Sequence, residues 1–129
     1  MQPEENPTTP ARLGARHRLL IAAGGIAGAV GVAAAAAGSH GESRNLSAIA
    51  LICLAHGPAL LALGLAGAGR LFWWSAILLA GGTVLFAADL AVREWMNRGL
   101  FPGAAPLGGM GMIVGWLALV VAAAAGKRN

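Results

Sequence analysis

The side chains able to do chemistry are few, and most stand alone among apolar neighbours. His56 lies inside an uncharged run over 46–69. At about 1.5 Å per residue the imidazole falls roughly 15 Å below the end of that run, near the middle of a bilayer. A titratable group at that depth is a proton relay, a ligand contact or a hydrogen-bonded packing residue. Pro58, two positions on, cannot donate to the Leu54 carbonyl, so a kink with a free acceptor is expected beside the histidine. The same depth count places Gly28, Thr83 and Trp116 at the level of His56. The expected arrangement is therefore a neutral histidine facing the bundle interior and bonded to the Trp116 indole or the Thr83 hydroxyl. Asp89 and Arg93 stand four apart, a spacing that predicts an ion pair and little effect of Asp89→Asn on assembly. His40 and Glu42 belong at the same membrane face, and with Asp89 and Arg93 they sketch a small polar vestibule. They come from separate segments without tight ligand spacing, so no metal is assigned. Haem would need a second axial ligand, and His40 belongs roughly 15 Å from His56. The single cysteine, Cys53, excludes an intramolecular disulfide and a cysteine zinc cage. No nucleophile–base–acid set or phosphate loop can be assembled, so no catalytic residue or cofactor is assigned and no enzyme is expected.

The elements that must carry these residues follow from composition. Of 129 residues, 57% are hydrophobic and 11% charged, with 20 glycines and no tyrosine, and the mean hydropathy is +0.70. Too few polar side chains remain to cover a water-soluble surface. Four apolar runs, over about 19–38, 46–69, 71–92 and 106–125, each suit the ~30 Å hydrocarbon core as a helix. The fold class is thus an all-α integral membrane protein, an antiparallel bundle of four transmembrane helices within 19–126. A signal-peptide reading of the first run is weakened by its length. Residues 1–18 read as a disordered basic cytoplasmic tail rich in proline, and 127–129 as a short basic end with no soluble domain attached. Spans two and three, joined at Arg70, form an antiparallel hairpin.

A net charge of +4 would suggest nucleic acid in a soluble protein, but here the basic residues flank the apolar runs and nucleic acid is not an expected partner. Arg12, Arg16, Arg18, Arg70, Lys127 and Arg128 fall on one side, against Arg44, Arg93 and Arg98 on the other. Both termini are therefore expected to be cytoplasmic. Trp73, Trp74 and Trp95 stand where interface anchors belong. Close helix approach in lipid relies on small residues, and Gly24 with Gly28, and Gly111 with Gly115, supply them at a spacing of four. Gly64 with Ala68, and Gly81 with Gly82, extend this to the other two spans.

Three stretches carry a family likeness: Gly38-Ser39-His40-Gly41; Ala55-His56-Gly57-Pro58-Ala59-Leu60-Leu61; and Pro106-Leu107-Gly108-Gly109 leading to Gly115-Trp116. Together they resemble the small membrane proteins grouped as domain of unknown function 423, to which transmembrane protein 256 is similar. The likeness covers about 19–124, and its fourth-span stretch is the most specific part. It implies a four-helix integral membrane protein without an assigned activity, substrate or cofactor. Two positions depart from the family pattern. Ala55 replaces an aromatic residue before the histidine, and Ala87-Ala88-Asp89 stands where a small polar stretch is usual.

These readings converge on a multi-pass protein of a bacterial inner membrane, in contact with lipid. It would act as a structural or accessory subunit within a homo-oligomer or a larger membrane complex. The alternative is a small oligomeric transporter or channel using His56 or Asp89. The first span, which lacks the acidic residue of the small multidrug exporters, speaks against that version.

Overall fold

The computed structural model describes residues 13–125. Four helices follow one another: α1 (Ala15–Gly41), α2 (Arg44–Ala66), α3 (Arg70–Met96) and α4 (Ala104–Ala125), each long and apolar enough to cross a membrane. The all-α membrane bundle read from the sequence is the observed fold. The helices overrun the apolar stretches where polar residues continue the backbone ladder. α1 starts at Ala15, so 15–18, assigned to the tail, form its first turn, and α3 runs past the expected end at 92 to Met96. Residues 1–12 and 127–129, read as tail and basic end, lie outside the described residues.

Each end has a local cause. Ser43 caps α2, its hydroxyl accepting the Leu46 N–H at 3.2 Å. α2 stops at Ala66, three residues early, because Gly67, whose amide makes the last bond to the Leu63 carbonyl, is itself extended and the chain then turns through Gly69 at φ 90°. Glu42 and Asn97 take left-handed conformations after α1 and α3. Pro106 sits in the first turn of α4, where its missing N–H leaves no bond unmade.

The closest packing is α1 along α2 and α4 along α3, with a looser α2–α3 contact between the two pairs. Spans two and three, the expected hairpin, are therefore consecutive but are not the tightest pair. Buried positions on α1 are Leu20, Gly24, Ala27, Gly31, Ala34 and Gly38, alternating steps of four and three. Such a seven-residue rhythm keeps one seam against a partner crossing at a shallow left-handed angle. The tight glycines follow that rhythm, not the spacing of four. A β-carbon at Gly24 would lie 2.8 Å from the Gly57 carbonyl oxygen, one at Gly31 2.7 Å from Leu54, and one at Gly115 2.9 Å from Leu79. Gly28 lends only its backbone to the seam, and a β-carbon at Gly111 would meet nothing closer than 3.6 Å. Around the bundle, Leu51, Val84 and Val120 are exposed, as lipid-facing side chains should be.

Candidate functional site

His56 projects from α2 into the bundle, only 6% exposed, on a row with Cys53, Gly57, Leu60 and Gly64. Its Nδ1 lies 2.8 Å from the Ile52 carbonyl, and the Trp116 indole of α4 donates to its Nε2 at 3.1 Å. These two partners fix the proton. A carbonyl can only accept and an indole N–H can only donate, so Nδ1 carries the hydrogen and Nε2 is the acceptor. The imidazole is thus neutral with both nitrogens engaged. The rings are tilted by 58° with centroids 5.9 Å apart, a geometry that adds aromatic contact to the hydrogen bond. The bond on its own helix reaches Ile52, not the Leu54 carbonyl freed by Pro58. Four residues is the distance from which a side chain bonds back along a helix.

Thr83 shares the level of His56 but not its cluster. It is buried on the α3–α4 seam, where its hydroxyl points to the Met112 sulfur at 3.5 Å. An interhelical hydrogen bond in a membrane contributes about 0.6–2 kcal/mol, so His56→Leu should lower bundle stability by about that much. His56→Gln, which can still accept from the indole, should lose less. Trp116→Phe combined with His56→Leu should be less than additive in a double-mutant cycle read by unfolding in detergent. Full additivity would show that the two rings do not cooperate.

At the other end of α3, Asp89 is wholly buried. Arg93 Nε donates to its Oδ2 at 2.7 Å, the pairing expected from their spacing, and the Leu100 amide donates to its Oδ1 at 2.7 Å. The carboxylate therefore holds the loop between α3 and α4, a role that the four-residue spacing does not reveal. Gly99 lets the loop come that close, because a β-carbon there would lie 2.8 Å from both Asp89 Oδ1 and the Arg93 guanidinium. A second clamp stands beside it. Glu94 accepts from the Ser43 hydroxyl at 2.6 Å and from Asn45 Nδ2 at 3.0 Å, fastening the start of α2 to the end of α3. Sequence reading passes over Glu94. The only local signal is Ser43 as a helix cap, and a capping serine gives no hint of its distant partner.

The vestibule does not assemble. His40 and Glu42 are exposed at the α1–α2 turn and, among the described residues, make no hydrogen bond to Asp89 or Arg93. No group of three metal-ligating side chains comes together among the described residues. At the opposite membrane face, His17 donates Nδ1–H to the Gly64 carbonyl at 2.8 Å, tying the start of α1 to the end of α2. There the Arg16 guanidinium lies 5.1 Å from the centre of the Trp73 ring.

The family model described as protein of unknown function (DUF423) matches residues 27–109. UPF0382 inner membrane protein YgdD of Escherichia coli K12 is 32% identical over 125 residues, covering 88% of this chain and 94% of that protein. The same protein of Escherichia coli O157:H7 and of Shigella flexneri matches to the same extent. No solved structure matches the chain.

Proposed function

The chain belongs to the DUF423 family, and from that membrane setting we propose that it is a structural or accessory subunit of a membrane assembly. One observation carries this reading. His56 and Asp89, the side chains a carrier would use, have their polar atoms occupied by partners inside the bundle. A proton or ion carrier must offer its ligand an atom that is not already engaged. Here such an atom becomes available only if a helix contact or a loop is first broken. The groups are spent on holding helices together, as fits a scaffold.

The basic residues favour cytoplasmic termini in this reading. Arg16, Arg18 and Arg70 stand at one end of the bundle, and Arg44, Arg93 and Arg98 at the other. The orientation signal is the count of Lys and Arg near the span ends, and Arg12, Lys127 and Arg128 add to the first group alone. Reporters fused at Asn129 and inserted near Gly99 should therefore give opposite signals, and matching signals would refute the orientation. Solubilisation in a mild detergent is expected to release the protein within a larger assembly containing other chains. A lone homo-oligomer that moves an ion or solute in liposomes, with transport lost in His56→Gln, would replace the accessory role with transport.

A further inference from the structure

We propose that the cavity between the start of α1 and the α2–α3 turn is a binding site for the phosphate-bearing headgroup of an anionic phospholipid. The cavity measures about 380 Å³. Arg16, His17 and Arg70 line it together with Trp73, while Leu20 and Phe72 contribute apolar wall. This is an amphipathic site, cationic on one part and hydrocarbon on another. It lies where the apolar run of α1 begins and where Trp73 and Trp74 mark the boundary between headgroups and acyl chains.

Its cations are held, and no acid among the described residues stands near them. Trp73 supports the Arg16 guanidinium by a cation–π contact, and Arg16 is exposed. His17 is anchored to the Gly64 carbonyl, so the wall formed by α1 is fixed against α2. The acids among the described residues, Glu42, Asp89 and Glu94, all stand at the far end of the helices. Arg16 and Arg70 also sit in the first turns of α1 and α3, the positive ends of those helices, and neither turn contains an acid. Cations in such positions repel the helix ends, and an anion bound between them would relieve that repulsion.

The apolar wall selects the source of the anion. A hydrated inorganic ion gains nothing from Leu20 and Phe72, whereas a phosphodiester attached to glycerol and acyl chains can set its phosphate on the arginines and its hydrocarbon on those side chains. An arginine fork matches phosphate oxygens in a bidentate manner. A zwitterionic headgroup brings its own cation to the same rim and is disfavoured there.

The test is lipid binding to the full-length protein in detergent, followed by native mass spectrometry during titration with phosphatidylglycerol or phosphatidylcholine. Phosphatidylglycerol should be retained preferentially, and Arg16→Gln with Arg70→Gln should weaken its binding about 30-fold, the scale of two basic contacts at a membrane surface. Arg44→Gln with Arg98→Gln removes the same charge from the opposite end and should change binding by less than about twofold. Should the first double variant fail to purify, Arg70→Gln alone should give about a fivefold loss. Equal losses in the two double variants would overturn the site, since the attraction would then be diffuse. Equal retention of phosphatidylcholine would also overturn it. Full displacement of the lipid by millimolar inorganic phosphate would assign the cavity to a free anion instead.

Discussion

Alanine at Gly82 is expected to destabilise the bundle by about 1–3 kcal/mol, while alanine at its neighbour Gly81 is expected to be neutral or stabilising by up to about 1 kcal/mol. The two substitutions are chemically identical and adjacent on α3. A β-carbon at Gly82 would lie 2.6 Å from the Gly108 carbonyl oxygen and 2.9 Å from the Met112 backbone nitrogen. A β-carbon at Gly81 would meet nothing within 4 Å. The contact is reciprocal, because one at Gly108 would lie 2.8 Å from the Gly82 carbonyl oxygen. Backbone cannot rotate out of the way as a side chain can, so α3 and α4 would have to separate. In lipid the adhesion between helices is mainly van der Waals contact, and a gap of 0.5–1 Å already forfeits roughly a quarter to a half of each contact's attraction. Unfolding midpoints of the two variants in one detergent measure the difference, and equal midpoints would contradict the α3–α4 seam described above.

That pair also marks the limit of what the sequence discloses. The four spans are legible because hydropathy measures whether a segment belongs in lipid. It does not report where a backbone ladder stops, so the helical turns containing Arg16 and Glu94 lie beyond the expected ends. Adjacent glycines differ by about 100° around a helix. Distinguishing Gly81 from Gly82, or Gly24 from Gly25, requires knowing which side faces a neighbour, and in helices apolar all round no polar face tells them apart. Depth, by contrast, can be counted along the chain. His56 and Trp116 are at one level and are bonded. Thr83 is at that level too, yet it is turned toward Met112, because depth carries no information about azimuth.

Asp89→Asn is expected to open the loop between α3 and α4, although spacing alone predicts a nearly silent change. The carboxylate accepts through both oxygens, one from Arg93 and one from the Leu100 amide. An amide side chain can accept through only one. Its NH2 group must then face either a guanidinium N–H or a backbone N–H, a donor against a donor at a position with no exposed surface. Arg93, whose side chain is 43% exposed, is the partner able to leave, and the loop then keeps only an uncharged acceptor for the Leu100 amide and loses the guanidinium packed against Gly99. Gly99→Ala should produce the same state by a different route, pushing a methyl group against Asp89 Oδ1. The readout is trypsin cleavage after Arg98, an exposed residue of this loop. Cleavage should accelerate about tenfold in both variants, the scale of losing one buried hydrogen bond that holds the segment closed. Neither Asp89 nor Gly99 belongs to the α1–α2 seam, so the thermal protection of that pair should be unchanged. Unaltered cleavage together with loss of an ion or solute flux would show that Asp89 serves transport rather than the loop.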